Sequence, residues 1–101
     1  MNYYVYMLKC VDKSYYVGVT NNVQKRLFEH NEGIVEGYTS TRRPVILVYF
    51  HDFNDIREAI IFEKKLKSWR RAKKEALIKG DIESLKKLSR SYRGHPSSGS
   101  G

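Results

Sequence analysis

The chain has 101 residues, of which 41% are hydrophobic and 30% are charged, and its formal net charge is +8. This length supports one domain with a modest core, and the residue balance is that of a globular protein rather than a disordered or fibrous one. The apolar runs are much shorter than the roughly 20 residues that cross a bilayer, so no membrane span is expected. One cysteine, Cys10, permits no internal disulfide. Because no secretion-signal pattern is visible either, we expect a cytoplasmic location.

Two stretches near the N-terminus, YVYMLKC and YYVGV, are rich in aromatic and β-branched residues and predict a β-hairpin. Five tyrosines lie within residues 3–16. If Tyr6 and Tyr16 are to share a face of the sheet, paired residue numbers must have an even sum. The loop must then contain an odd number of residues, such as residues 12–14. Cross-strand aromatic packing is the simplest explanation of these tyrosines.

The rest of the chain alternates between helical and extended patterns. TNNVQKRLFEH predicts a short helix capped by Thr20 or Asn21, and the loop NEGIVEGYTSTRR follows. PVILVYF is too apolar for an alternating surface strand and predicts a third strand that starts at Pro44, where the missing N–H does no harm. A longer helix begins at the cap Asp55, and a last helix opens at Asp81.

The positive charge is concentrated towards the C-terminus. Between Lys64 and Arg93 there are twelve Lys or Arg residues and three Asp or Glu residues, whereas seven basic and eight acidic residues lie elsewhere. Such a field attracts a polyanion, most commonly nucleic acid, although an anionic membrane surface would also respond. A solvated helix face is the alternative interpretation of the same charges.

Three side chains are candidates for chemistry. Glu63 lies on the predicted apolar stripe of the longer helix, with Ile56, Ala59, Ile60 and Leu66. A carboxylate there must be held by a cation or a metal ion, and an internal ion pair is the commoner arrangement. Arg26 and His30 are four residues apart on the short helix and share a face, and alone they suggest a solvated surface pair.

Several ordered motifs resemble those of the GIY-YIG nuclease superfamily. They are Tyr4-Val5-Tyr6, Tyr16-Val17-Gly18, RLFEH from Arg26 to His30, Gly37-Tyr38-Thr39, and the stretch from Arg57 through Glu63 to Arg71. The resemblance extends from about Tyr3 to Ile78. Within this superfamily, the motifs look most like those of small stand-alone bacterial members that are similar to the N-terminal nuclease domain of the excision-repair nuclease. It implies an α+β fold with a small three-stranded antiparallel sheet flanked by helices.

The resemblance also implies a divalent-metal-dependent endonuclease that hydrolyses phosphodiester bonds in DNA, in repair or recombination. Its catalytic residues would be Tyr6, Tyr16, Arg26, His30 and Glu63. Glu63 would hold Mg²⁺ or Mn²⁺ together with waters and phosphate oxygens. Arg26 would hydrogen-bond the phosphate, and His30 would share in proton transfer. Either tyrosine is a candidate base, provided that nearby cations lower its pKa from about 10.

Five basic residues that follow Glu63 are predicted to bind branched, nicked or single-stranded DNA: Lys67, Arg70, Arg71, Lys73 and Lys74. Either they suffice for specificity, or a structured substrate or a protein partner supplies it. The chain departs from the family pattern twice, because Tyr4 replaces the first glycine and no asparagine follows Asn54. The missing asparagine favours an alternative function, a non-catalytic nucleic-acid-binding module with the same fold.

The expected domain organisation has three parts. Residues 1–80 form the nuclease-like domain, and residues 81–93 form a basic C-terminal helix. Residues 94–101 are rich in Gly and Ser and cannot bury apolar surface, so they are expected to be a disordered tail.

Overall fold

The computed structural model describes residues 2–93, with backbone alone for residues 90–93. The chain divides into two compact units after Lys67. The first unit contains β1 (Tyr3–Lys9), β2 (Tyr15–Thr20), α1 (Val23–Asn31), a 3₁₀ helix (Tyr38–Thr41), β3 (Ile46–Phe53) and all but the last residue of α2 (Ile56–Ser68). The second unit contains α3 (Arg71–Lys79) and α4 (Ile82–Arg93). Within residues 2–93, no helix combines the length and the apolarity that crossing a membrane requires.

The three strands form one antiparallel sheet in the order β2-β1-β3, which confirms the predicted α+β fold class. Tyr6 is opposite Gly18, and Leu8 is opposite Tyr16. Both pairs have even sums, so Tyr6 and Tyr16 share a face as predicted. The loop comprises residues 11–13 rather than 12–14, because the Cys10 N–H donates to the Ser14 carbonyl at 2.8 Å.

The two faces of the sheet are packed differently. We call the first the tyrosine face, and alternation along the strands assigns to it Tyr4, Tyr6, Leu8, Tyr16, Gly18, Leu47, Phe50 and Asp52. Leu27 of α1 packs there against the cluster formed by Tyr6, Leu8, Cys10 and Val45. On the other face, the Phe62 ring of α2 lies 5.5 Å from the Phe53 ring. The tyrosine face is therefore the one that α1 covers.

A β-bulge interrupts β3 at Val48. Met7 is opposite Tyr49, but the next residue, Leu8, is opposite Leu47, so the register skips Val48. β3 is also an edge strand, and Ile46 and Phe50 are 59% and 54% exposed. The third strand is present but begins at Ile46 rather than at Pro44. The interpretation of the segment as too apolar for a surface strand was wrong, because an edge strand of so small a sheet is not enclosed on both faces.

Side-chain caps define where the helices of the first unit begin. The Asn22 Oδ1 accepts from the Lys25 N–H at 3.0 Å at the start of α1. The predicted caps were therefore wrong, and Thr20 Oγ1 accepts instead from the Asn22 N–H in the preceding turn. At the start of α2, the predicted cap Asp55 accepts from the Arg57 N–H at 2.9 Å.

The second unit is a pair of packed helices. Gly80, with φ of 70°, ends α3 in the left-handed conformation that glycine adopts without strain. The Asp81 carboxylate then accepts from the Ser84 N–H at 3.1 Å and caps α4, as the sequence predicted. The predicted boundary between residues 80 and 81 stays a prediction, and the predicted tail, residues 94–101, lies outside the described residues.

Candidate active site

A buried polar chain links α1 to the tyrosine face. The Tyr6 Oη lies 2.9 Å from His30 Nε2, and His30 Nδ1 lies 2.7 Å from Thr39 Oγ1. His30 is 0% exposed, so the surface-pair interpretation was wrong for this residue. Both ring nitrogens have a hydroxyl partner, and a neutral imidazole satisfies both because a hydroxyl either donates or accepts. His30 thus fastens the end of α1 to the sheet.

Thr39 is a member of the site that had no predicted role. It lies on the short 3₁₀ helix and is 1% exposed, although the surrounding loop is polar. Its position inside the Gly37-Tyr38-Thr39 motif was the available signal. The motif had not been assigned any contact, because the sequence does not show that this loop folds back over His30.

Gly18 allows the hydroxyl end of the Tyr6 ring to lie close against the neighbouring strand. A Cβ on Gly18 would stand 2.6 Å from the Tyr6 Oη and 2.7 Å from its Cζ. Both distances are far inside van der Waals contact, so any larger residue must displace the phenol. The glycine of the second triplet is therefore required by the position of the first triplet's tyrosine.

The Arg26 guanidinium is held in the site by two partners. Its Nη1 donates to Glu29 Oε1 at 3.1 Å, and its side chain is 39% exposed. Burial lowers the pKa of Arg26, but hydrogen bonds with Tyr6 and Glu29 outweigh this effect and leave it raised. The guanidinium is therefore charged, oriented and still accessible.

The pKa of Tyr6 reports the electrostatics of the site. Burial raises this pKa to about 12; the charges of Tyr16 and Glu63 also raise it, and the Arg26 hydrogen bond and charge lower it. Tyr6 is only 2% exposed. The condition for Tyr6 to act as a base, a lowered pKa, is therefore not met. The Tyr16 ring centroid lies 6.3 Å from that of Tyr6, and Arg26 hydrogen-bonds with Tyr6, so both groups lie beside this phenol.

Tyr16 is half-buried among aromatic rings. Its centroid lies 5.0 Å from that of His30 and 6.3 Å from that of Tyr6. The ring of Tyr38 stacks beside it at 6.3 Å, and the Arg42 guanidinium lies 3.9 Å from the centroid of Tyr38. These contacts hold the ring of Tyr16 in place from several sides.

Glu63 has an ion-pair partner on its own helix. Its Oε2 lies 3.0 Å from the Lys67 Nζ, and the two side chains are 17% and 54% exposed. The stripe that carries Glu63 is narrower than predicted, since Ala59 and Leu66 are buried but Ile56 and Ile60 are 37% and 38% exposed. The Glu63 carboxylate is therefore sheltered, but the lysine that pairs with it is not.

The side chains of the site suit a metal ion that takes only some of its ligands from the protein. Among the described residues, no group of three or more His, Cys, Asp or Glu side chains could bind a metal ion. Glu63 supplies one hard oxygen donor, and Mg²⁺ accepts a single carboxylate when waters and phosphate oxygens complete its shell. The residues therefore suit an ion that binds together with a phosphate rather than a resident ion in a protein cage.

The five basic residues predicted to bind DNA are divided between the units. Lys67 lies on α2 and pairs with Glu63, and the other four stand at the start of α3, where Arg70 is the N-cap residue. The Arg71 Nε lies 3.0 Å from Glu75 Oε2. The first turn of α3 contains no acidic residue. Cations at a helix N-terminus oppose the helix dipole, so these side chains do not stabilise the helix by that effect.

Stability is expected to fall in mild acid because of His30. Burial lowers the pKa of His30 from its usual 6.5; the Arg26 charge lowers it further, and Glu29 opposes these effects. Below about pH 6.5 the unfolded chain takes up a proton that the folded chain does not, so the free energy of unfolding decreases as the pH falls. One such group contributes at most about 1.4 kcal/mol per pH unit.

Denaturant unfolding between about pH 5 and about pH 7.5 measures this effect. The pH dependence should be smaller in His30→Gln than in the wild type. His51→Gln is the matched control, because His51 is exposed. Identical slopes in the wild type and His30→Gln would contradict the prediction.

Comparison with known proteins identifies the family. The family model for the GIY-YIG catalytic domain matches residues 2–76. The chain therefore belongs to the GIY-YIG family, a family of nucleases that typically use divalent metals, and the predicted resemblance is confirmed.

Its relatives include small proteins of similar length. The chain is 49% identical over 77 residues to a UPF0213 protein of Bacillus pumilus, covering 76% of this chain and 79% of that protein. Identity to the UPF0213 protein YazA of Bacillus subtilis is 43% over 77 residues, with coverages of 76% and 78%.

Two solution NMR structures resemble the fold. The UPF0213 protein BH0048 from Bacillus halodurans is 40% identical, with a TM-score of 0.52 and coverage of 88% of this chain and 98% of that chain. The protein EF2693 from E. faecalis is 35% identical, with a TM-score of 0.56 and coverages of 79% and 85%.

Proposed function

We propose that the chain is a divalent-metal-dependent endonuclease that hydrolyses phosphodiester bonds in DNA. The observation that carries the proposal is a cluster on the tyrosine face: the Tyr6 hydroxyl lies 2.9 Å from His30 Nε2, and the Tyr16 ring lies 5.0 Å from that of His30. The charges of Arg26 and Glu63 also act on the pKa of the buried Tyr6. Aromatic packing of a hairpin requires no such set of charges. Groups that perturb one another in this way are typical of functional sites.

Arg26 is assigned to the scissile phosphate. Its planar guanidinium can donate two parallel hydrogen bonds to phosphate oxygens, and the contact with Glu29 fixes its orientation in advance. Negative charge increases on the phosphate as the water attacks, and a pre-oriented cation stabilises that charge.

Tyr16 is assigned as the base, and Tyr6 and His30 are assigned as positioning residues. Tyr6 has a pKa of about 12 and hydrogen-bonds to His30, so it keeps its proton. His30 is fully buried and acts through Tyr6 rather than on the substrate. Tyr16 is the less buried of the two phenols, so its Oη is the one assigned to the attacking water.

Glu63 is assigned as the residue that holds the metal. When bound, Mg²⁺ or Mn²⁺ would polarise the phosphate and stabilise the leaving oxygen. Lys67 would then leave Glu63, and because its side chain is 54% exposed it could move to a phosphate oxygen instead. Lys67 is itself one of the predicted DNA contacts, so this exchange would add a phosphate contact beside Glu63.

DNA is proposed as the substrate because of the basic residues between Lys64 and Arg93. A cytoplasmic location, a role in repair or recombination, a preference for branched, nicked or single-stranded DNA, and a protein partner stay predictions. A non-catalytic nucleic-acid-binding module is the second candidate function, and the lack of an asparagine after Asn54 favours it.

The test is incubation of nicked, branched and single-stranded DNA with the protein and either Mg²⁺ or Mn²⁺. Cleavage that stops when the ion is chelated, and that Glu63→Ala lacks, would support the nuclease. Binding of the same DNA without cleavage in any of these conditions would support the binding module.

DNA binding by the start of α3 is expected to weaken steeply with salt. Each phosphate contact adds about −0.9 to the slope of log affinity against log salt concentration on duplex DNA. Replacing Arg70, Arg71 and Lys74 together with Ala should lower the affinity and flatten this slope. Fluorescence anisotropy at several salt concentrations measures both quantities. A control with the same change of charge replaces three basic residues of the first unit, Lys13, Lys25 and Arg57.

If the triple variant of α3 keeps the wild-type affinity and slope, the basic start of α3 is only a solvated surface. An equal loss in the control variant would show that net charge, rather than this segment, determines the affinity.

A further inference from the structure

The tyrosine face continues beyond the site to an exposed aromatic corner on β3. Phe50 is opposite Tyr6 in the register, and Asp52 is opposite Tyr4. Phe50 is 54% exposed, although the neighbouring Tyr6 is only 2% exposed. The centroids of Tyr4 and Phe50 are 6.1 Å apart with planes at 70°, so the two rings meet edge to face. We call Tyr4, Phe50 and Asp52 the aromatic corner.

The end of α1 is tied to the start of β3, at the opposite end of the strand from the aromatic corner. The Asn31 side chain donates to the Val45 carbonyl at 3.0 Å and accepts from the Val45 N–H at 2.7 Å. This contact ties the end of α1 to the residue before β3. Phe50 lies four residues beyond the first residue of β3, Ile46, and keeps half of its surface in contact with water.

The chemistry of the aromatic corner suits a nucleobase better than a phosphate. None of its three side chains is basic, and the exposed carboxylate of Asp52 repels phosphate oxygens. A flat aromatic ring offers a stacking surface to a base, and stacking of this kind is a main source of affinity for single-stranded DNA. A carboxylate beside the ring accepts hydrogen bonds from the amino group of a base.

We propose that the aromatic corner binds an unpaired DNA base that neighbours the scissile phosphate. The inference rests on the proposed function, because it takes Arg26 and Tyr16 as the residues next to the scissile phosphate. The aromatic corner lies on the same face of the sheet as Tyr16. A duplex keeps its bases paired and stacked, so the bound base comes from a single strand, a flap or a mismatch. Asp52 favours bases that carry an amino group over thymine.

Binding in the absence of divalent ions tests the inference without requiring cleavage. Fluorescence anisotropy compares labelled single-stranded dC and dT oligonucleotides with a blunt duplex. Phe50→Ala and Phe50→Leu should weaken single-strand binding about 5- to 150-fold and leave duplex binding unchanged, since only the single strand has a free base to stack. Phe50→Trp should retain binding, and Asp52→Asn should reduce the preference for dC over dT.

Ile46→Ala is the matched control, because Ile46 is an exposed apolar residue of the same strand on the opposite face. Phe50→Leu keeps a large apolar side chain but removes the planar ring, so it tests stacking even if the alanine variant folds poorly. Wild-type affinity in Phe50→Leu would overturn the inference and leave the nuclease proposal intact. Failure of the wild type to bind any of the DNA molecules would overturn the inference, and failure that persists after Mg²⁺ is added would overturn the nuclease proposal as well. A wild-type dimer that Phe50→Leu converts to a monomer would overturn the inference by assigning the corner to a second copy of the chain.

Discussion

Glu63→Gln is expected to abolish metal-dependent cleavage and to leave the fold almost unchanged. A neutral amide is a poor ligand for a hard cation, and the loss of several kcal/mol of transition-state stabilisation corresponds to roughly 10²- to 10⁴-fold in rate. The cost in stability should be small. Lys67, which pairs with Glu63, is 54% exposed, and pairs with an exposed partner contribute only about 0–1 kcal/mol.

The ion-pair interpretation makes a different prediction for the same variant. Loss of one partner from a fully buried pair costs about 3–5 kcal/mol, because the other charge remains uncompensated. Cleavage assays, Mn²⁺ titration and thermal unfolding separate the two interpretations. Glu58→Gln is the control on the same helix, because Glu58 is exposed. A large drop in melting temperature with intact cleavage would remove the metal site from the proposal.

Tyr16→Phe is expected to reduce cleavage by about 10²- to 10⁴-fold, the range that is typical of a lost general base. The variant deletes only the hydroxyl and keeps the ring between His30 and Tyr38, so stability should hardly change. Tyr6→Phe should behave differently. It leaves the buried His30 Nε2 without its hydroxyl partner, and an unsatisfied buried group costs about 1–3 kcal/mol.

Tyr16→Phe should therefore lower the turnover more than Tyr6→Phe does. The free energy of unfolding should show the reverse, with the larger loss in Tyr6→Phe. Tyr15→Phe is the control, because Tyr15 neighbours Tyr16 on β2 but lies on the other face of the sheet. A normal rate in Tyr16→Phe would support simple aromatic packing. If Tyr15→Phe impairs cleavage as severely as Tyr16→Phe, the assignment of the faces is wrong.

The elements governed by local rules were predictable from the sequence. The hairpin followed from residue propensities, and the shared face of Tyr6 and Tyr16 followed from the two-residue period of a strand. The cap of α1 was misplaced because Thr20, Asn21 and Asn22 are consecutive and all have good capping side chains. Local rules cannot choose among three such neighbours.

The burial of the site could not be predicted, because it depends on contacts between distant segments. The spacing of Arg26 and His30 fitted an exposed helix face equally well, and His30 is buried because Tyr6, Tyr16 and Thr39, all distant in the sequence, contact it. The raised pKa of Tyr6 has the same origin, since its largest cause is burial. Resemblance to the family predicted the site residues, whereas tertiary packing determines the surroundings of each one.

The bulge at Val48 separates the side-chain alternation of the two ends of β3. Leu47 before it and Phe50 after it are three residues apart, which would place them on opposite faces of a regular strand, yet both lie on the tyrosine face. Insertion or deletion of one residue beside Val48 can therefore move the side chains at one end of β3 to the opposite face of the sheet. The side chains at the other end keep their face. In related chains, a change in the length of β3 would be a sign that the surface beside the site has acquired a different side chain.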